Sequence, residues 1–245
     1  MAVETVRQRI ASSSQIVVFT GAGISTESGI PDYRSQGGVW DRFQPVYFDE
    51  FLESEEKRLL YWQRKAKLWP ALVAAKPNAA HRFVRRLYDE GRLLGVITQN
   101  IDGLHELSGI PENRVVNIHG NTRETICLGC GAQLPTDAAL ELLEAQGRAP
   151  RCPDCGGLLK PNTISFGQAL DERVLRKAVD LSQNCDSMLA LGSTLVVQPA
   201  ASLPAAAKDA GAWLGIVTLS ETPLDDLADE VLRMPLGEFA QLMED

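Results

Sequence analysis

Phe19-Thr20-Gly21-Ala22-Gly23-Ile24-Ser25-Thr26-Glu27-Ser28-Gly29-Ile30-Pro31-Asp32-Tyr33-Arg34 decides the fold of this 245-residue chain. Just before it, Gln15-Ile16-Val17-Val18-Phe19 is a short β-branched run that reads as a buried parallel strand. Gly21 and Gly23 let the backbone turn tightly and leave bare N–H groups for a phosphate to lie against. Ser25 or Thr26 is placed to cap the helix expected next. Strand, glycine turn and helix start thus follow in the order a nucleotide pyrophosphate needs. Two features depart from the dinucleotide fingerprint. Thr26 fills the third glycine's place, and no second strand ending in Asp or Glu follows about twenty residues on. Taken alone, the glycines fit a dinucleotide site and an ordinary strand-to-helix turn equally well.

The composition narrows the class. The chain is 44% apolar, enough for one large domain with an insertion, and its net charge is -8. An acidic chain lacks the basic face that nucleic acid or an anionic membrane requires, but it suits basic, lysine-bearing substrates. The amphipathic start, with Val3, Val6 and Ile10 on one helical face, is not a secretory signal. No apolar run approaches the roughly 18 residues of a membrane span. A cytoplasmic protein is expected.

Further along, residues 36–77 hold most of the aromatics, among them Trp40, Phe43, Tyr47, Phe51, Trp62 and Trp69. They read as short helical stretches between Pro45, Pro70 and Pro77, forming a small module over the glycine loop, with most of the aromatics in ordinary core packing. Asn78 to Glu90 reads as a helix with Ala80, Phe83, Val84 and Leu87 as its stripe and Gly91 as its stop. His81 on that helix reads as structural. Leu93 to Thr98 is the next buried strand, and Gln99, Asn100 and Asp102 follow its end, where ligands bind in open α/β sheets. A turn capped by Asn100 or Asp102 is the alternative. Val115 to Gly120 is a strand leading into His119, either a satisfied core residue or a catalytic one. Ser187 to Leu191 and Trp213 to Thr218 are two more strands, with a helix over Pro199 to Ala210 between them and a short terminal helix after Met234. Alternating strands and helices without an internal repeat predict a doubly wound, Rossmann-like parallel α/β sheet.

Of five cysteines, four stand in two pairs, Cys127-x2-Cys130 and Cys152-x2-Cys155, with 21 residues between the pairs. This spacing suits a tetrahedral zinc site with four thiolates and no open position, hence a structural one. A nucleic-acid-binding zinc ribbon is the competing reading. It lacks a basic patch: residues 123 to 160 carry four basic and five acidic side chains. Cys185 reads as a buried thiol.

Taken together, these motifs resemble the sirtuins, the NAD-dependent protein deacylases. G-A-G-I-S with G-I-P-D-[FY]-R is similar to their cofactor loop, and T-Q-N-I-D-x-L-H with [IL]-H-G to their catalytic core. The resemblance covers most of the chain. It implies a Rossmann-like NAD-binding domain of residues 1–35, 78–122 and 161–245, a helical module at 36–77 and a zinc module at 123–160. It implies NAD as co-substrate, with its pyrophosphate on Gly21, Ala22 and Gly23 and with Thr26, Asp32, Tyr33 and Arg34 beside it. Gln99 and Asn100 would orient the nicotinamide ribose, Ile101 and Asp102 would lie near nicotinamide, and His119 would be the general base toward a ribose hydroxyl. Gly192-Ser193-Thr194 resembles the family's adenine-side turn. Thr218 stands where the family usually has an Asn on the adenosine ribose. Pro161 to Gln168 resembles the segment that pairs with substrate as a β-strand, through Ile164, Phe166 and Gly167, although Gln168 replaces the usual Glu. Acyl-lysine proteins or peptides are the implied partners. Plain deacetylation is the main reading, with ADP-ribosyl transfer or removal of long-chain or acidic acyl groups on the same fold as alternatives and a non-catalytic NAD-sensing module as a third.

Tyr61 and Arg64 lie i and i+3 apart and share a helix face. Upstream of Pro77-Asn78-x-x-His81, this pair resembles the desuccinylase-type sirtuins, in which Tyr and Arg grip an acyl carboxylate. The wider pattern through Trp69-Pro70 looks closer to the lipoamidase and ADP-ribosyltransferase type. Arg64 also lies in a basic run with Lys57, Arg58, Lys65 and Lys67, the composition of a solvated helix face.

Overall fold

The computed structural model describes residues 2–33, 37–39 and 43–244. Arg34 and Trp40 lie outside the described residues. Six parallel strands form the main sheet: β1 (Ile16–Thr20), β2 (Leu93–Thr98), β3 (Val115–Asn117), β7 (Ser187–Leu191), β8 (Trp213–Val217) and β9 (Glu230–Leu232). Their order is β3-β2-β1-β7-β8-β9. The order reverses between β1 and β7, so this doubly wound sheet has its topological switch point at the glycine turn.

Both faces are covered, which is why the strands read as continuous apolar runs. Ile16 and Val18 of β1 face one core, with Leu189 and Leu191 of β7. Helices α1 (Ala2–Ser12), α4 (Ala79–Asp89) and α9 (Leu236–Leu242) close that side. Phe83 of α4 meets Phe239 of α9 edge to face at 5.4 Å. Val17 and Phe19 turn the other way, with Met188 and Ala190, under α7 (Glu172–Asn184) and α8 (Leu203–Asp209). Each of these fully buried large side chains stabilises the layer by about 1.5–3 kcal/mol.

A second lobe is built from two excursions of the chain. The first holds α2 (Phe48–Glu53) and α3 (Glu55–Ala74). Here the structure departs from the expectation of short stretches broken at Pro70: α3 is one helix of 20 residues with Pro70 inside it. Tertiary anchoring overrides the local breaker, since Trp62 is fully buried and Trp69 nearly so. The second excursion is the antiparallel sheet β5-β4-β6, from β4 (Gly120–Cys127), β5 (Gln133–Pro135) and β6 (Leu159–Thr163), with α6 (Thr136–Gln146) against it. Both share one core, in which Phe51 and Trp62 pack with Cys127, Ala139 and Leu159. Trp62 Nε1 donates to the Leu159 carbonyl at 3.1 Å, and Trp69 Nε1 to Asp137 at 2.6 Å.

Candidate active site

At the switch point the turns after β1 and β7 touch. Gly21 N–H donates to the Leu191 carbonyl at 3.1 Å, and Gly23 N–H to the Gly192 carbonyl at 2.8 Å. A Cβ on Gly23 would lie 2.7 Å from that same oxygen, and one on Gly21 2.8 Å from it. Gly21 has an ordinary extended backbone, φ -123 and ψ -174. These glycines are therefore required by close backbone approach rather than by left-handed geometry, and, contrary to expectation, their own N–H groups are spent on backbone carbonyls rather than left bare for a phosphate. The following segment, Ala22–Ser28, is a 3₁₀ helix with no side-chain cap. Neither Ser25 nor Thr26 caps it, contrary to expectation. Thr26 Oγ1 donates back to the Gly23 carbonyl at 3.0 Å, and Ser25 is drawn across to β2's polar turn.

That turn is built of interlocked donors and acceptors. Ser25 Oγ donates to Asp102 Oδ2 at 2.7 Å and accepts from Asn100 Nδ2 at 3.2 Å. Asp102 Oδ1 also accepts the Leu104 N–H at 2.9 Å. Burial pushes the Asp102 carboxyl up, against these hydrogen bonds. Asn100 N–H donates to Thr98 Oγ1 at 3.0 Å; Thr98 accepts from Thr20, whose hydroxyl pairs with the buried His105 Nε2 at 3.0 Å. Asn78, the N-cap of α4, donates through Nδ2 to the Ile24 carbonyl at 2.7 Å. From the sequence, Ser25 reads only as a local cap and Asn78 only as the start of its helix. An Asn directly before an apolar stripe signals the cap, but nothing local signals its second bond.

His119 follows β3. Its Nδ1 lies 3.1 Å from the Gln99 carbonyl oxygen, which only accepts, so Nδ1 carries the proton. Nε2 of the neutral ring is then left with a lone pair. Burial lowers the His119 pKa, partly offset by the Gln99 bond. Gln99 Nε2 donates to Ser193 Oγ at 2.8 Å, bridging the two halves of the sheet.

One cleft of about 1080 Å³ gathers these groups. Gly21, Ala22, Gly23, Thr26, Asp32 and Tyr33 line it. So do Gln99, Asn100, Ile101, Asp102 and His119, and across the switch point Gly192, Ser193, Thr194 and Thr218. Its far wall holds Tyr61, Arg64, Ile164, Phe166 and Gly167. Every site residue expected from the sequence, apart from Arg34 and the cysteines, therefore borders one cavity. Ile164 N–H donates to the His119 carbonyl at 2.9 Å, fixing the peptide-like segment to the histidine. Gln168 Oε1 accepts the Ser165 N–H at 3.1 Å, a bond that the usual Glu carboxylate would also accept. On that wall the Arg64 guanidinium also donates to the Gln44 carbonyl and sits 5.5 Å over the Phe43 ring.

In the second lobe, the sulfurs of Cys127, Cys130, Cys152 and Cys155 all lie within 4.8 Å of one another. Cys127 and Cys155 are 3.5 Å apart, Cys130 and Cys152 3.8 Å. Zinc–sulfur bonds of about 2.3 Å in a tetrahedron require edges of about 3.8 Å. Gly129 and Gly157 donate N–H to Cys127 and Cys155 at 3.4 Å each, as a thiolate needs. The four cysteines are positioned to bind one zinc ion. Among the described residues no helix is long and apolar enough to cross a membrane.

Residues 21–199 match the Sir2 family model. A relative from Rhodopseudomonas palustris named NAD-dependent protein deacetylase is 45% identical over 236 residues, covering 96% of this chain and 93% of its own length. Among solved structures, a Sir2 with a deacetylated p53 peptide and 3'-O-acetyl ADP-ribose aligns with a TM-score of 0.91 at 36% identity, over 99% of this chain and 97% of that one. Another, Sir2 with a p53 peptide and NAD+, aligns at 0.88 and 38% identity, over 100% and 98%. With the glycine turn, the polar turn, the histidine and the cysteine tetrad in one arrangement, the chain belongs to the Sir2 family.

Proposed function

We propose that this protein is an NAD-dependent protein lysine deacylase acting on acetyl-lysine peptides, a reading supported by the relative named NAD-dependent protein deacetylase and by the likeness to Sir2 with a p53 peptide and NAD+. The observation that carries the reading is the tautomer of His119, whose Nε2 is left as an acceptor in the cleft shared by the glycine turn and the Ile164–Gly167 segment. NAD supplies a sugar carbon that becomes electrophilic when nicotinamide leaves. Gly21, Ala22 and Gly23 hold its pyrophosphate, with Thr26, Asp32, Tyr33 and Arg34 beside them. Gln99 and Asn100 orient the nicotinamide ribose, and Ile101 and Asp102 enclose the nicotinamide. Gly192, Ser193, Thr194 and Thr218 hold the adenosine end. His119 Nε2 takes a proton from a ribose hydroxyl as general base, a role suited to a neutral imidazole. Ile164, Phe166 and Gly167 offer edge amides and carbonyls to an extended peptide, which favours weak selection for flanking side chains. Residues 1–35, 78–122 and 161–245 serve the nucleotide in this reading, and 36–77 and 123–160 form the opposing wall. Four free cysteines in a metal-binding arrangement support a cytoplasmic location.

The test is nicotinamide release from NAD in the presence of an acetyl-lysine peptide, with products resolved by mass spectrometry. Free lysine peptide and O-acetyl-ADP-ribose should form in equal amounts. ADP-ribosylated peptide in their place, or release that ignores the acyl peptide, would refute the assignment.

A further inference from the structure

We propose that Lys160 is a positioning residue for the substrate peptide: its buried ammonium closes the free edge of β6 and fixes the Ile164–Gly167 segment against which an extended acyl peptide pairs. The inference rests on the deacylase reading and adds a residue to its peptide site. Lys160 is 1% exposed and stands with Phe51 and Trp62 among the largest fully buried side chains. β6 is an edge strand in the order β5-β4-β6, so β4 pairs with only one side of it. Pro161 and Thr163 are both buried on that strand, and their carbonyls therefore need donors. Lys160 Nζ donates to the Pro161 carbonyl at 3.4 Å and to the Thr163 carbonyl. The side chain thus folds back along its own strand, up to the residue before Ile164.

Two helices meet β6 at this ammonium. The rings of Phe48, at the start of α2, and Tyr61, on α3, each lie 5.9 Å from it. Both residues also hold the segment directly. Phe48 N–H donates to the Phe166 carbonyl at 2.9 Å, and the Tyr61 hydroxyl pairs with Thr163 Oγ1 at 3.3 Å. Ile164 N–H is already bonded to the His119 carbonyl. Among the described residues, the Ile164 carbonyl and the Gly167 N–H have no partner, so they are groups the segment keeps for a peptide. Which groups are already taken sets the register, and Lys160 takes those nearest Ile164.

Such a residue is costly to keep. Among the described residues, no carboxylate lies within ion-pair distance of Lys160. A buried cation without a counter-ion is unfavourable, and a methionine would fill the same space without that cost, so packing alone does not account for a lysine here. Burial, and then the charge of Lys65, lower Lys160 to about 7. On α3, Lys65 is itself lowered to about 8, and burial raises the Tyr61 hydroxyl away from neutrality. On α2, Asp49 accepts the Glu50 N–H and Glu50 pairs with Lys57; on β4, Glu124 accepts from the Asn162 amide. Charge-assisted bonds are about twice as strong as neutral ones, so the grip on the two carbonyls is firm below about pH 7 and weakens above it.

The experiment measures kcat and KM from about pH 6 to about pH 9 for the wild type, Lys160→Arg and Lys160→Met. The substrate is an acetyl-lysine peptide with blocked termini and no other group titrating in that range, at saturating NAD. The wild-type KM for peptide should rise several-fold around pH 7, while the KM for NAD stays level. Lys160→Arg, charged throughout, should hold the low peptide KM at every pH. Lys160→Met should raise it by roughly 10- to 150-fold at the acid end, the scale of one hydrogen bond to a charged group, with no further rise around pH 7. A flat wild-type peptide KM overturns the inference whether or not either variant folds. So does a Lys160→Arg profile that still rises, which would assign the effect to Lys65, or a Lys160→Met variant with the wild-type KM. Failure to turn over any acyl peptide overturns the deacylase reading, and this inference with it.

Discussion

Three alanine substitutions separate what the glycines of the switch point do. Gly91 has φ +71 and open space around it, so Gly91→Ala carries the left-handed penalty alone, about 1–2 kcal/mol. Gly23 has no such φ, but its new methyl would sit 2.7 Å from the Gly192 oxygen, 0.7 Å short of the 3.4 Å at which ordinary contact begins. The obstacle is backbone, so the turns after β1 and β7 must part, an overpacking cost of about 1–3 kcal/mol. Gly192 combines both faults, φ +64 and a Cβ 2.5 Å from Ile24 N, so Gly192→Ala should cost roughly 2–5 kcal/mol. Stability would be read from urea unfolding and NAD affinity from calorimetry. A displacement of most of an ångström in the glycine turn that lines the cleft should weaken NAD about ten- to a hundredfold in Gly23→Ala and Gly192→Ala. Gly91→Ala should leave NAD binding untouched. If Gly23→Ala matches the wild type in both stability and NAD affinity, the close approach of the two turns is not what the glycines provide.

His119→Ala should keep NAD binding and lower deacylation by roughly 10²–10⁴-fold; a loss of only a few-fold would remove His119 as the base. Because burial holds the His119 pKa below its usual value, the acid limb of kcat/KM should fall below about pH 6.5, and a limb well above that would contradict a base kept neutral by burial. Elemental analysis should find one zinc per chain, and Cys152→Ser should destabilise the second lobe; metal-free fresh protein would refute the tetrad. Two buried histidines are kept neutral by burial, His81 lowered to about 4 and His105 well below its ordinary value. Protons then bind the unfolded chain first, so stability is intact above about pH 6.5 and declines toward pH 4, by up to about 1.4 kcal/mol per pH unit for each histidine. Flat stability over that window, measured by urea titration, would show that they charge without unfolding.

The sheet was legible because β1, β2, β7 and β8 are buried on both faces and so are written as unbroken apolar runs. The Phe83, Val84 and Leu87 stripe marked α4 as clearly. The groups at strand ends were legible as types, Asn100, Asp102 and His119 among them, since their position beyond a strand is itself a local signal. The rest depends on contacts distant in sequence. Ser25 looked like a cap because its partner Asp102 lies 77 residues away. Pro70 looked like a break because nothing local shows that Trp62 and Trp69 are anchored by residues from 137 to 159. Lys65 looked like part of a solvated basic face, and only the arrival of β4 and Thr122 over it half-buries it.

Trp62 and Leu159 share one core although 97 residues separate them. The consequence is cooperative. Neither α3 nor the cysteine-bearing sheet retains a complete interior without the other, so the pair opens as a single unit, and the metal tetrad governs when it opens. The wall carrying Tyr61 and Lys65 rides on that unit, whereas the glycine turn is fastened to the parallel sheet. Loss of zinc should thus be felt as a loss of grip on the acyl peptide while nucleotide affinity persists, making the ion a distant custodian of one substrate and indifferent to the other.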